Sequence, residues 1–397
     1  MNLEKVIEYA IYHDNLDKKI SLPGIKRGLP EESFFLKKKN FLNTNQFENL
    51  TSEIIYKQIK KINNINVLCS GGVDSSILIH YLKKYNKKFM AIHNFYPKHK
   101  QNDLNKMKSL KKFYTFKSKN ISISSTNYLK GMELSFKNRY FGNVYAPTVF
   151  YSLNNINNNN KFLMTGSGPD ELFYGMEKYS LNFFKKLNHL ETYKALEILD
   201  TNYNDEFYKK ILNKDGLDIY NIVKIKRLEF YKKISEINNN LLEAQRILSY
   251  CTVSNQHFEM FEKISNNFDM KHVCPFLDKT FIKFAFSFDL KNFLDLKKKL
   301  RVKDAYVGKK QLKMILAKFT SSKHAYDIKI GFHAPMSKLI NQKINLTNVH
   351  QKLNYDILSR IIDIDKLKTE LKKQLTKNDK NYCLFSLIGT QNYLNYF

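Results

Sequence analysis

The segment Ser70-Gly71-Gly72-Val73-Asp74-Ser75-Ser76 constrains the fold more than any other part of the chain. It lies between a short apolar run at residues 65–69, typical of a buried strand, and residues 74–85, whose apolar side chains recur at helical spacing. Two glycines allow a tight turn that exposes backbone N–H groups, and the positive end of the following helix faces the same point, which suits a phosphate group. Bare phosphate would repel the carboxylate of Asp74, so the pattern also predicts Mg²⁺ between the two.

Strand and helix patterns alternate through the first half of the chain. Such alternation is typical of a parallel sheet with helices on both faces. From about residue 180 to residue 397 the pattern is mainly helical, with no clear strand run. We therefore predict an α/β fold with a mainly helical C-terminal part. The predicted strands are residues 65–69, 88–95, 120–124 and 161–166, and the predicted helices are residues 74–85, 102–116 and 170–187.

The charge of the chain first suggests a nucleic-acid-binding protein, because 66 Lys and Arg against 37 Asp and Glu give a formal net charge of +29. Only six of those 66 residues are Arg, the residue best suited to bidentate contacts with phosphates and bases. A chain rich in Lys and Asn without Trp is also typical of an AT-rich genome. We therefore do not expect nucleic acid as a partner.

The ends and the cysteines of the chain predict its compartment. No apolar run reaches the roughly 18 residues that a membrane-spanning helix needs. The N-terminal residues carry acids and lack the apolar core of a signal peptide. The four cysteines form no Cys-x-x-Cys pair, which favours reduced thiols. These features predict a cytoplasmic protein with no membrane partner.

Four strings occur in an order and at spacings that together resemble one known family. Residues 70–76 resemble the PP-loop of the N-type ATP pyrophosphatases. Residues 165–175 (T-G-S-G-P-D-E-L-F-Y-G) resemble the G-E-G-x-D-E-L-F-G-G-Y string of the asparagine synthetase ligase domain. Residues 275–278 resemble its P-F-L-D, and residues 329–335 resemble its K-x-G-F-x-x-P. The chain is therefore identified as a member of the asparagine synthetase-like branch of the PP-loop superfamily, which includes the β-lactam synthetases.

This resemblance implies a set of ligands and site residues. It implies that ATP is cleaved to AMP and pyrophosphate while a carboxylate is adenylated, with Mg²⁺ shared by Asp74 and Asp170. It places Lys309, in a string similar to K-x-x-L-R, beside the α-phosphate as a catalytic residue, with Lys310 as the alternative if the register differs by one. The residues expected to bind the nucleotide are Leu68, Ser70, Gly71, Gly72, Asp74, Ser75, Ser76, Gly166 and Gly168.

Departures from the family pattern bear on the nitrogen acceptor. Residue 2 is Asn instead of the catalytic Cys, and the loop begins at residue 70, so we expect no glutaminase domain. Nitrogen would then come from ammonia, from a separate glutaminase or from an amine. Ser167 replaces the Glu of the ammonia-using enzymes and the Tyr of the β-lactam synthetases. Serine alone cannot act as the base, because the pKa of its hydroxyl lies far above neutral pH and the alkoxide is therefore not populated.

Two further sites are assigned by counting back along the sequence, without gaps, from the P-F-L-D string at residues 275–278. The β-lactam-type base falls on Glu259, which could act as the general base for an attacking amine, and Glu262 and Ser265 match the family's D-x-x-S in the same register. Lys271-His272-Val273 replaces the family's E-x-R, so we expect a donor or acceptor that differs from aspartate.

The strings predict three parts: an N-terminal extension at residues 1–60, the ligase domain at residues 61–345 and a helical C-terminal segment at residues 346–397. The predicted function is AMP-forming amide ligation that tailors a peptide, a natural product or a surface sugar acid. Two alternatives stay open: a tRNA-modifying PP-loop enzyme similar to the lysidine synthetases, and a non-catalytic nucleotide-binding relative.

Overall fold

A computed structural model gives the fold for most of the chain. The described residues are 3–12, 15–16, 22–26, 29–35, 43–97, 104–138, 140, 143–156, 160–175, 186–200, 203–295, 308–327, 353–375, 386–391 and 394. Their strands are β1 (Ile25–Lys26), β2 (Leu29–Pro30), β3 (Asn64–Leu68), β4 (Lys88–Phe95), β5 (Lys117–Ser122), β6 (Phe162–Met164) and β7 (Lys271–Val273).

The central sheet has five parallel strands in the order β5-β4-β3-β6-β7, and β1 and β2 form a separate antiparallel pair. This confirms the predicted parallel α/β fold. Three motif segments follow neighbouring strands: residues 70–76 follow β3, residues 165–170 follow β6, and residues 274–278 follow β7. Because parallel strands end at the same edge of a sheet, the three segments meet there.

Helices cover both faces of this sheet and form most of the C-terminal part. The helices are α1 (Leu3–Tyr12), α2 (Glu32–Phe35), α3 (Thr44–Ile59), α4 (Val73–Lys84), α5 (Leu104–Lys111), α6 (Ser125–Lys137), α7 (Ala146–Asn154), α8 (Pro169–Leu172), α9 (Thr192–Asp200), α10 (Tyr203–Ile211), α11 (Lys214–Ile237), α12 (Leu241–Ser249), α13 (Asn255–Asn267), α14 (Lys279–Phe286), α15 (Lys310–Phe319), α16 (Ser322–Ala325), α17 (Tyr355–Leu358) and α18 (Ile364–Leu375). Successive residues of β6 point to opposite sides, since Met164 lies in one apolar core with α3, α4 and α15, and Leu163 in another with α6, α7 and α13. Among these described helices, none has the length and apolarity that crossing a bilayer requires.

Two elements near the motif segments differ from the sequence predictions, and the short strands β1 and β2 were not predicted either. The helix predicted at residues 170–187 is interrupted near its start: α8 ends at Leu172, and Tyr174 turns the backbone into the left-handed region at φ +55°. Residues 176–185 of the prediction lie outside the described residues. Strand β7 was not predicted, since a run of only three residues carries too little periodicity to be recognised.

The first helix belongs to a third apolar core in the helical part of the chain. Helix α1 packs there with α10, α11, α17 and α18. Beside this core, the buried guanidinium of Arg227 lies 3.0 Å from Glu8 Oε1 and 3.3 Å from Asp200 Oδ2, so charges from three helices stabilise one another. The N-terminal helix is thus packed against segments that are far away in sequence.

Candidate active site

The loop at residues 70–72 joins β3 to α4 at the carboxyl edge of the sheet. Gly71 has a φ of +75°, and a Cβ at this position would lie 2.8 Å from backbone atoms of Lys106 and Met107 on α5. Gly72 immediately precedes α4, so the first N–H groups of that helix face the same edge. This geometry can hold an anion such as a phosphate group.

The serine hydroxyls of residues 70–76 mainly form hydrogen bonds with backbone groups of the same segment. Gly72 N–H donates to Ser70 Oγ at 3.2 Å, and the hydroxyl of Ser75 donates to the Gly72 carbonyl at 3.2 Å. The fully buried hydroxyl of Ser76 donates to the Gly71 carbonyl, also at 3.2 Å. The loop is therefore internally braced, and nucleotide binding by these residues stays a prediction.

The ammonium group of Lys309 connects the loop with the segment after β6. Its Nζ lies 2.5 Å from Asp74 Oδ2 and 2.6 Å from Asp170 Oδ1. Only 5% of the Lys309 side chain is exposed, against 20% for Asp74 and 29% for Asp170. Three residues that the sequence singled out separately thus form one charged cluster, here named the Lys309 cluster.

Burial by itself would lower the pKa of Lys309, but the carboxylates of Asp170 and Asp74 outweigh burial and hold the pKa above its usual value. The ammonium group is therefore charged at any physiological pH. Lys309 is a fixed, largely desolvated cation at the edge of the sheet.

Two glycines make room for Lys309. A Cβ on Gly175 would lie 2.0 Å from Lys309 Cε and 2.2 Å from Asp170 Oδ1, and a Cβ on Gly308 would lie 1.8 Å from the Tyr174 carbonyl oxygen. Lys309 itself has a left-handed backbone at φ +58°, and its N–H donates to the Phe173 carbonyl at 2.8 Å. The close crossing of these two segments directs the lysine between the aspartates.

The turn after β6 packs tightly against the loop and against the segment after β7. A Cβ on Gly166 would lie 3.1 Å from Asp74 Cβ. Gly168 has a φ of +108°, and a Cβ at this position would lie 2.7 Å from the Leu277 side chain. The thiol of Cys274 contacts the Ser167 carbonyl oxygen at 3.5 Å. Burial raises the pKa of Cys274 to about 12, so the thiol stays neutral.

Leu68 and Glu259 lie on regular elements. Leu68 is the last residue of β3 and pairs with Ile92 of β4, which places its backbone at the carboxyl edge of the sheet. Glu259 lies on α13, and its Oε1 is 2.8 Å from Lys263 Nζ. That ion pair lies within one helix and does not itself connect Glu259 with Ser167. The roles of Leu68, Glu259 and Ser167 therefore stay predictions, and residues 329–335 lie outside the described residues.

A buried polar chain next to this site was not predicted as a functional group. Thr165 Oγ1 lies 2.8 Å from His272 Nε2, and His272 Nδ1 lies 3.3 Å from Glu262 Oε1. The second contact is not a well-aligned hydrogen bond. Burial lowers the pKa of His272, although Glu262 partly opposes the shift, so the imidazole is neutral near pH 7. Only the register of Glu262 and the loss of E-x-R at residues 271–273 indicated this region in advance.

A further contact that the sequence did not predict involves Glu171, whose buried carboxylate lies in the D-E-L-F string. It accepts a hydrogen bond from Ser254 Oγ at 3.1 Å. Ser254 ends a π-helical turn at Tyr250–Ser254, a feature that often marks functional sites and that no sequence pattern indicates.

The carboxylates of the Lys309 cluster fit the Mg²⁺ that the fold family implies. Asp74 and Asp170 both reach one cation, so they are close enough to share a metal ion. Among the residues that the structure describes, no three His, Cys, Asp or Glu side chains form a group that could hold a metal. Magnesium is commonly bound by one or two carboxylates together with substrate phosphates, which matches this donor set.

Two comparisons with known proteins bear on this chain. The family model described as Asparagine synthase matches residues 46–393, which include every element of the site. A search of curated proteins finds no significant match.

Proposed function

Since the chain belongs to the asparagine synthase family, we propose that it is an AMP-forming ligase that adenylates a carboxylate and transfers the acyl group to ammonia or an amine. The family assignment supports an ATP-dependent carbon–nitrogen ligase of the asparagine synthetase type. The observation that carries the proposal is the Lys309 cluster, because it unites a cation with two carboxylates beside a phosphate-type loop.

In the first half-reaction, an oxygen of the donor carboxylate attacks the α-phosphorus of ATP. The bond to the β-phosphate breaks, and pyrophosphate leaves. Residues 70–72 and the first N–H groups of α4 would hold the phosphates. Bound Mg²⁺, held through Asp74 and Asp170, would neutralise charge on the phosphates.

Lys309 would stabilise charge that develops on the reacting phosphate and later on the acyl oxygen. Its ammonium group is already desolvated and lies 2.5 Å from Asp74 and 2.6 Å from Asp170. Since Mg²⁺ would take its place between these carboxylates, the ammonium group would have to turn toward the phosphate, where a positioned cation stabilises the developing charge. Loss of one such donor elsewhere costs about 2.7–4 kcal/mol of transition-state stabilisation.

In the second half-reaction, the nitrogen attacks the acyl carbon, AMP leaves, and the nitrogen loses a proton to a base. We assign that base to Glu259 on α13, because Ser167 cannot accept a proton unaided. Release of Glu259 from Lys263 would be required, since the two side chains are paired at 2.8 Å. We further propose an acid from a peptide, a natural product or a surface sugar, and ammonia, a separate glutaminase or an amine as the nitrogen source.

The test is pyrophosphate release from Mg·ATP with a panel of amino acids, peptides and uronic acids, with hydroxylamine as the probe nucleophile. We expect pyrophosphate only with the correct acid, and an acyl hydroxamate when hydroxylamine is present. Lys309→Met should lower both signals by about 100-fold or more, and Lys310→Met is the matched control that should retain them. Absence of both signals with the whole panel would overturn the proposal.

The tRNA-modifying alternative predicts a different outcome. Bulk tRNA should then bind on a filter at physiological salt, where non-specific binding by a basic surface has largely disappeared. We expect no such binding.

A further inference from the structure

His324 lies beside the first turn of α4, the helix that follows the phosphate-type loop. Helix α16 carries it, and only 7% of the residue is exposed. Its Nε2 lies 3.3 Å from Ser76 Oγ on α4, and its Nδ1 lies 3.0 Å from Ser109 Oγ on α5. One imidazole thus connects three helices, including the helix that follows the loop.

The donors and acceptors among Ser76, His324 and Ser109 follow from the position of one hydroxyl proton. The single hydroxyl proton of Ser76 is donated to the Gly71 carbonyl, so Ser76 Oγ must accept from His324 Nε2–H. Nδ1 is then the acceptor, and the Ser109 hydroxyl donates to it. Burial lowers the pKa of His324, and Lys106 lowers it further against the opposing effect of Asp327, which favours this neutral form.

The position of the loop depends on Ser76 and on α5, the two groups that His324 contacts. Gly71 lies directly on the backbone of α5, as its close approach to Lys106 and Met107 shows, and its carbonyl is held by Ser76. His324 bonds both Ser76 and α5, so it fixes the distance between the loop and the helix beneath it. A loop that binds phosphate through backbone N–H groups needs those groups oriented before the ligand arrives.

We propose that His324 is a positioning residue for nucleotide binding, acting through Ser76 on the carbonyl of Gly71. It does not contact the nucleotide itself. This inference rests on the proposed use of ATP, but it concerns the affinity for ATP and needs no knowledge of the acid or the amine.

The test is the Kd of Mg·ATP, measured by titration calorimetry on the full chain at a temperature where every variant is folded. His324→Leu removes both hydrogen bonds and should weaken binding about tenfold, which corresponds to about 1.4 kcal/mol. His324→Gln can place an amide N–H near the position of Nε2 and should restore most of the affinity. His324→Asn reaches only the Nδ1 position and should not.

His80→Leu is the matched control, because His80 is a partly buried histidine that lies on α4, stacked on Phe319 and 2.9 Å from the Tyr114 hydroxyl. It should destabilise the fold but leave the Kd of Mg·ATP within twofold. Wild-type affinity in His324→Leu, or an equal loss in His80→Leu, would overturn the positioning role while leaving ATP use intact. Failure of the wild-type protein to bind Mg·ATP would overturn both this inference and the proposed function.

Discussion

Replacing Lys309 with Met should reveal how strongly the Lys309 cluster holds the fold together. At an effective dielectric constant of about 20, a unit charge pair at the 2.5 Å that separates Lys309 and Asp74 is worth roughly 6–7 kcal/mol before other terms. Burying the ammonium group opposes this by several kcal/mol, and the partly exposed carboxylates are screened by water. Since removing one partner of a buried pair costs about 3–5 kcal/mol, we expect a loss of about 3 kcal/mol in the free energy of unfolding.

The assay is urea unfolding of four proteins: wild type, Lys309→Met, Asp74→Asn and the double variant. The double variant should lose less than the sum of the two single losses, with a coupling of about 1–2 kcal/mol, because the pair acts as a unit. Lys310→Met, one residue further along the chain, should change stability by less than about 0.5 kcal/mol. A loss below about 1 kcal/mol for Lys309→Met, with no coupling to Asp74, would refute the reasoning.

Two further predictions concern packing and pH. Gly175→Ala adds a methyl group 2.0 Å from Lys309 Cε, so we expect the ammonium group to be displaced and pyrophosphate release to fall about tenfold or more, with Gly175→Ser no better. Burial, with a smaller contribution from Lys84, lowers the pKa of His80 to about 4, so the unfolded chain takes up the proton first as the pH falls. The stability that neutral His80 gives is complete above about pH 6.5 and is lost toward pH 4, with a slope of up to about 1.4 kcal/mol per pH unit. In His80→Phe, urea unfolding across this range should show a shallower slope, and an unchanged slope would contradict the assignment.

The sheet was predictable because its signals are local. An apolar run followed by Ser70-Gly71-Gly72 specifies a strand, a turn and a helix start within a few residues, and the fold follows from repetition of that unit. Strand β7 and the buried pairing of Arg227 with Glu8 were not predictable. They depend on partners more than a hundred residues away, which no periodicity encodes.

In the candidate site, too, some contacts were predictable from the sequence and others were not. Sequence motifs placed Asp74 and Asp170 after neighbouring strands, where the geometry of a parallel sheet brings them together. That Lys309 lies between them depends on the crossing at Gly175 and Gly308, which requires the three-dimensional path of both segments. His324 carries no sequence signal at all, because its function follows only from its contacts with Ser76 and Ser109.

Residues 271–273 lie where the resemblance places the family's E-x-R string on the substrate side, and they carry neither its Glu nor its Arg. Val273 stands where the family has Arg, and it is buried in the apolar core that also contains Met164, its partner in β6. A carboxylate cannot be recognised from that position, because the side chain is apolar and faces away from water. His272 points to the opposite face of the sheet, where it bonds Thr165, and its neutral ring does not replace the missing guanidinium. We therefore expect other residues to recognise the substrate, and a donor or acceptor that differs from aspartate.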